Sequence, residues 1–434
     1  MTDRLRTTAP RRIAMVAPCA FPSARGSQVL IRELAQALAD RGHEVHVVTY
    51  PSGEHLAPLR GMFVHRTRVP ALVDTLALPY VLRKLIFDIC LAVTLYRVIQ
   101  ASQIHVIHAH NYEGPLVAYL VRWLTGVPVV YHSHNALSDE LAWYVRRRWL
   151  RRCLRVIGRL LDRQVPRRAD FTIALTPQLE GFLRSHGVAA DRIATIPPGC
   201  TLPSADEGGI PTLNFFAGRF VVLYAGNLDP YQDLSVLFRG YNRFRQHAPH
   251  ALLVVVTHEA QWINRAGGKL VELVRAGHAE VVVAPTFHAV RRYMAQADVL
   301  VCPRSSWSGF PIKLLNYCAA GRPIVVAEGA ARSAMIEDTA VVVGNGDAEG
   351  LTAALSRLCD DADLRRALSE RARAAAAALW TWRQVAHEVE AVYAATCNTA
   401  SNGATHSGAP QSDLQGLIAL SRDRISAASG DQVG

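Results

Sequence analysis

The 434-residue sequence lacks several features that would fix its chemistry at once. Its eight cysteines, at 19, 90, 153, 200, 302, 318, 359 and 397, form no CxxC pair and no close cluster. That spacing excludes a zinc knuckle and a disulfide framework and leaves reduced, packed thiols. No GxGxxG follows the first apolar strand, so the dinucleotide-binding fingerprint is missing. The longest membrane-like run, LIFDICLAVTLY (85–96), is twelve residues long and carries Asp88, short of the roughly 20 residues that cross a bilayer. The first residues, MTDRLRTTAPRR, are polar, and the apolar IAMVAPCAF behind them has no cleavage pattern, so a cytoplasmic protein is expected. Lysine is scarce: Lys84, Lys269 and Lys313 are the only three among 47 basic residues.

What is present is apolar. Half the residues are hydrophobic and 19% are charged, enough for large buried cores and far from the composition of a disordered chain. The length suits two domains of roughly 200 residues. A net charge of +11 points to an anionic partner: a nucleotide, a lipid surface or nucleic acid.

Short β-branched runs alternate with longer helical patterns throughout, as IAMVAP, EVHVVTY, HVIHAH, VPVVYH, FTIAL and RIATIP do in the first half. FVVLYAG, ALLVVVT, EVVVAP, DVLVCP and RPIVVA repeat the pattern after residue 214. This is the signature of parallel strands with crossover helices. It predicts an α/β fold of two doubly wound, Rossmann-like domains facing a central cleft: 1–205 and 215–379. A helix over 380–397 packs back across them, and a Ser/Gly/Ala-rich tail, 398–434, is disordered. Ligands of such sheets sit outside the carboxyl ends of the strands, so the functional residues are sought at the cleft.

Five segments stand at such strand ends. SSWSGFPIKLLNYCAAGRPIVV (305–326) reads as a strand exit, a turn at Gly309 and a helix opened by Pro311, Ile312 and Lys313. A lysine in a first turn opposes the helix dipole, a penalty that a bound phosphate reverses; a solvated surface lysine is the plainer reading. In FVVLYAGNLDPYQDLSVLFRG (220–240) the strand ends at Gly226, a helix begins near Asp233, and Asn227 and Gln232 fall at the strand-to-helix corner, where a simple turn with a cap is the alternative. His108-Ala-His110 and His132-Ser-His134 each set two rings on one strand face. If the strands are neighbours, four imidazoles converge, which opens a metallohydrolase reading against one of hydrogen-bonded core histidines. Gly26 and Ser27 open the first helix as a possible anion cradle. Asp361-Ala-Asp363, between two helices, is read as a cap rather than a metal site.

Residues 146–168 hold ten arginines and one aspartate, a local charge of +9. On a helix, Arg148, Arg152, Arg155, Arg159 and Arg163 share one face, and Leu150, Leu154, Ile157 and Leu161 the other. Trp143, Tyr144 and Trp149 are candidate interface anchors. The segment is either a core-docked helix with a cationic outer face or a surface that meets anionic lipid. Nucleic acid ranks below both, since no aromatic platform or known binding motif accompanies the charge.

Taken in order, RRIAMVAP, GSQVLIRELAQALADRGHEVHVVT, VIHAH, GVPVVYHSHN, ADFTIALT, VAADRIATIPPG, LYAGNLDPYQDL, ADVLVCP, GFPIKLLNYCAAGRPIVV and the closing WTW…VEAVY resemble the retaining family 4 glycosyltransferases with the GT-B fold. The resemblance covers about residues 13–396. It implies an activated nucleotide-sugar donor held mainly by the second domain and an acceptor held mainly by the first; UDP or GDP is the nucleotide expected. No cofactor and no obligatory metal are implied, and the anomeric configuration is kept. By the same resemblance Gly26 lies near the diphosphate, His134 lines the reacting sugar, and Gly309 and Phe310 border sugar and phosphates. The 281–290 segment meets the base.

The sequence departs from the family at four positions. The arginine and lysine that clamp the diphosphate are here Asn227 and Gln232, and the two glutamates that bracket the glycine loop are here Ser308 and Asn316. Two cations and two anions are exchanged together, so the charge balance is kept, with Lys313 as the replacement cation. The expected function is transfer of a sugar to a lipid-linked or polysaccharide-precursor acceptor. His134 and Lys313 are the catalytic residues, and Gly226 and Pro311 complete the donor site. His110, Asn111 and Tyr112 are acceptor-side candidates, and Arg148, Trp149, Arg152, Arg155 and Arg159 form a surface for the inner face of a membrane. A non-catalytic nucleotide-binding or scaffold protein is the alternative.

Overall fold

In the computed structural model the described residues run from 9 to 402, without 24–25, 54–58, 71–79, 142–146, 202–215, 259, 263–266, 285 and 335. The apolar runs become strands because β-branched side chains fit a pleated sheet covered on both faces. In the first domain β1 (Arg12–Ala17), β2 (Glu44–Thr49), β3 (Met62–Arg66), β4 (Val106–His110), β5 (Val129–Ser133), β6 (Phe171–Ala174) and β7 (Ile193–Thr195) form a seven-stranded parallel sheet in the order 3-2-1-4-5-6-7. In the second, β8 (Phe220–Ala225), β9 (Ala251–Thr257), β10 (Ala279–Val283), β11 (Val299–Cys302), β12 (Ile324–Ala327) and β13 (Val341–Val343) form a six-stranded parallel sheet in the order 10-9-8-11-12-13. The strand order reverses between β1 and β4 and again between β8 and β11. Open parallel sheets bind ligands at such switch points, so the exits of these four strands define the site.

The closing helix, Trp382–Asn402, runs five residues beyond the expected end, and residues 398–402 are helical rather than tail. The rest of the tail lies outside the described residues, as do Trp143 and Tyr144. The helix buries Val385, Ala386, Val389 and Tyr393 in the core of the first domain. There Glu390 receives Nε of Arg41 at 2.5 Å and lies 2.9 Å from Nε2 of His43.

Two sequence expectations are corrected. The apolar run at 85–96 belongs to a 23-residue helix, Tyr80–Ser102, of which Leu82–Ser102 is long and apolar enough to cross a membrane. Its inner side, Leu91, Leu95, Val98 and Ile99, packs on the first sheet, and Asp88 accepts a hydrogen bond from Tyr50 at 2.5 Å. In the basic helix, Arg148–Gln164, Ile157 is exposed, not inward. Only Gly158 and Asp162 are fully buried there, because Gly158 packs directly on Ser138 and Asp162 takes the amides of Leu137 and Ser138 at 2.9 and 3.1 Å.

Candidate active site

The exit of β8 is shaped by Gly226. Its φ of +148° is one that side-chain-bearing residues rarely adopt, and a Cβ there would meet Nζ of Lys313 at 2.6 Å. Beyond it the chain folds into a short turn, Pro230–Gln232, before the helix Leu234–Phe244. Gln232 donates to Oδ1 of Asn227 at 2.8 Å, and Asn227 donates to Tyr231 at 2.9 Å and to Asp229 at 3.1 Å. Asn227 and Gln232 are both buried.

Lys313, the first residue of the helix Lys313–Ala320, reaches into this cluster from the exit of β11. Its Nζ donates to Oε1 of Gln232 and to the hydroxyl of Tyr224, each at 2.8 Å, and stands 4.1 Å from the centre of the Tyr224 ring. The residue is only part-buried, but its ammonium end is enclosed. Burial pushes that ammonium down to about 8; Arg304 acts in the same direction, and Cys302 and Asp229 act against it. Asn316 lies one turn on, half-buried. Phe310 and Pro311 are buried and carry the loop into the helix.

Gly309, with φ of +78°, brings this loop against the first domain: a Cβ would lie 2.9 Å from the carbonyl oxygen of His134 and 3.3 Å from Cβ of Asn135. Gly26, opening the first helix, faces Ile312. The structure adds a residue that the sequence reading missed. Asp139, on the short helix Leu137–Glu140, accepts from Oγ of Ser306 at 2.7 Å and from Oγ of Ser308 at 2.9 Å. A carboxylate from the facing domain therefore stands beside the position where the family carries a glutamate. LSDE reads as an ordinary helix start, and no local signal ties it to a loop 167 residues later.

The four histidines do converge, since β4 pairs with β5 and sets His110 beside His132. His110 Nδ1 lies 3.1 Å from His134 Nε2, and His108 Nε2 lies 3.0 Å from His132 Nδ1. The other nitrogen of His108 meets the hydroxyl of Tyr393 at 2.6 Å. One nitrogen each from His108, His110 and His132 falls within 4.8 Å of the others. Both nitrogens of His108 are engaged, however, whereas Nε2 of His110 and of His132 are buried with no partner among the described residues. Within that trio a third ligand would come only by breaking a hydrogen bond of His108, so the set fits a hydrogen-bonded stack better than a metal centre. Burial drives all four imidazoles toward neutrality, His134 to about 4 and His108 to about 3.

Of the acceptor-side candidates, Asn111 is part-exposed and sits at φ of +57°, a left-handed conformation that asparagine tolerates. His110 and Tyr112 are interior, the latter bonded to Asp162. Arg148, Trp149, Arg152, Arg155 and Arg159 are all exposed. Val156, Ile157 and Leu160 are exposed beside them, as is Trp123 (83%) on the neighbouring helix Glu113–Thr125.

Two open parallel sheets facing each other across a polar cleft, with the switch points of both turned inward, define the GT-B class of glycosyltransferases. The description "Glycosyl transferase 4-like domain" matches residues 25–199, and "Glycosyl transferases group 1" matches 219–361. The chain belongs to the family 4 glycosyltransferases and is a glycosyltransferase. It is 25% identical to the D-inositol 3-phosphate glycosyltransferase of Nocardia farcinica, over 89% of this chain and 90% of that one. It is 26% identical to the phosphatidyl-myo-inositol mannosyltransferase of Mycolicibacterium smegmatis, over 88% and 93%. Sucrose-phosphate synthase from Thermosynechococcus elongatus has the same fold, with a TM-score of 0.75 at 20% identity, over 90% of this chain and all of that one.

Proposed function

We propose that the protein transfers a hexose from a UDP- or GDP-linked donor to a lipid-linked or polysaccharide-precursor acceptor, with retention of configuration, at the inner face of a membrane. The observation that carries this reading is the enclosed Lys313 ammonium where the exits of β8 and β11 meet, on the helix behind the Gly309 loop that packs on the His134 carbonyl. A diphosphate leaving group gains negative charge as the glycosidic bond breaks, and a preorganised cation beside it stabilises that charge without reorganisation. The protein's own cations fill this role, so no metal is needed. His134 lies beside the reacting sugar as a neutral group, Ser308 and Asn316 hydrogen-bond donor hydroxyls, and Asn111 marks the acceptor side.

The lipid acceptor finds support in the relative named for mannosylating phosphatidyl-myo-inositol. Support also comes from the exposed apolar and cationic side chains of the helices Glu113–Thr125 and Arg148–Gln164. The test is thermal stability of the purified chain against UDP, GDP, ADP and their sugar conjugates, repeated with Lys313→Ala. A shift with one nucleotide class that vanishes in the variant supports the reading. No shift with any of them favours the non-catalytic alternative. Retention is read from the anomeric configuration of the product by NMR.

A further inference from the structure

The cleft contains a second cation that the family's motifs do not account for. Arg304 follows β11 by two residues, at the switch point of the second sheet. Its Nη2 donates to the carbonyl oxygen of Ser308, and its Cζ stands 5.3 Å from the centre of the Tyr231 ring. Its Nε is buried and has no partner among the described residues. Tyr231 is itself bonded to Asn227, so the guanidinium lies against the 227–232 segment, where the family carries its arginine and lysine.

A strut for one loop carbonyl does not require a guanidinium. Five N–H donors in a fixed fork are costly to enclose, and native proteins rarely leave such donors unmet. Among the described residues neither Arg304 nor Lys313 has a carboxylate partner, and the two are close enough for Arg304 to act on the Lys313 ammonium. The two like charges repel each other, and Asp229, which acts on Lys313, and Glu140, which acts on Arg304, offset this without forming an ion pair, so an entering anion relieves what is left. The fork geometry of arginine suits phosphate oxygens, and a lysine beside it adds a point charge.

We infer that Arg304 is the second cation of the donor-diphosphate site, acting with Lys313 in place of the family's arginine at position 227. The inference rests on the glycosyltransferase reading above and assigns a residue that the family's motif leaves out. Arg304 holds the diphosphate from the loop side while Lys313 holds it from the helix start.

The experiment is calorimetric titration of the full chain with UDP, GDP and ADP and with the matching monophosphates, for wild type, Arg304→Met and Arg304→Lys. The quantity read is the ratio of diphosphate to monophosphate affinity. The inference expects that ratio to fall at least tenfold in Arg304→Met and by less in Arg304→Lys, which keeps the charge but not the fork. A purely structural Arg304 would weaken both ligands alike and leave the ratio unchanged, which overturns the inference. If Arg304→Met does not fold, Arg304→Gln, which keeps a donor for the Ser308 carbonyl, is read by the same ratio. A wild-type chain that binds none of the three diphosphates overturns the donor reading itself, whereas wild-type binding with an unchanged ratio overturns only the role of Arg304.

Discussion

Lys313 donates from Nζ to Oε1 of Gln232 at 2.8 Å, so the side chain at the family's lysine position carries at its tip the ammonium of a different lysine. The two residues stand 81 positions apart in the sequence and meet at one corner of the cleft.

This arrangement sets a pH dependence. With the ammonium depressed to about 8, the charged form is lost as pH rises through that value in the free protein. Diphosphate affinity is therefore expected to be level below about pH 8 and to fall toward tenfold per pH unit above it, by calorimetric titration. Lys313→Arg, which cannot deprotonate, is expected to remove the high-pH limb.

Asp139 ties the first domain to Ser306 and Ser308 of the second. Hydrogen bonds to a charged group contribute about 1.5–3 kcal/mol each. Asp139→Asn is expected to lower kcat/KM by about 10- to 100-fold, while diphosphate affinity stays within about threefold, because the phosphate grip lies elsewhere. Equal losses in both would assign Asp139 to the phosphate grip instead.

The histidine stack makes the first domain sensitive to acid. Burial holds His134 near 4 and His108 near 3 in the folded state, and pushes His110 and His132 down as well. The unfolded chain takes protons near pH 6.5 while the folded one does not. Stability is thus fully present above about pH 6.5 and declines as pH falls below it, by about 1.4 kcal/mol per pH unit for each histidine that stays neutral. Urea midpoints between pH 7.5 and 5 would show the decline, and His132→Asn is expected to make it shallower.

Glu390 fastens the closing helix. Burial alone would raise its carboxyl, but hydrogen bonds from His43 and Arg41, and the charge of Arg41, bring it down to about 2. The stabilisation is present above the ordinary carboxylate value and is lost as pH falls through about 2. Glu390→Ala leaves the Arg41 guanidinium unpaired beside the core and is expected to cost about 3–5 kcal/mol, seen as a lower thermal midpoint.

Lipid attachment is checked with vesicles. Binding is expected to rise with phosphatidylglycerol content and to fall with salt, since exposed charges more than about 10 Å apart are screened at 0.1 M. Arg152→Glu with Arg159→Glu is expected to remove the lipid dependence, and Trp149→Ala to weaken attachment at every lipid composition. Binding indifferent to both lipid charge and salt would count against the surface.

The α/β alternation, the strand-end placement of Gly226, His110 and His134, and the turn at Gly309 were legible because periodicity and turn residues are local properties of the chain. The cap at Asp361 was legible for the same reason, as its side chain takes the amide of Leu364 three residues on. The orientation of Ile157 was not: the helix Arg148–Gln164 carries two apolar stripes, and periodicity alone cannot say which one packs. That was decided by Gly158 resting on Ser138. Nor could sequence distance reveal that Asp139 meets Ser308, that Arg304 lies over Tyr231, or that Gln232 and Lys313 share a bond. The sequence determined two doubly wound sheets and the strand ends that border a cleft, because those follow from short-range patterns. Only the tertiary structure decided which charged groups meet there, because electrostatic contact depends on distance in space, and the fold brings together residues that are 73 to 169 positions apart in the chain.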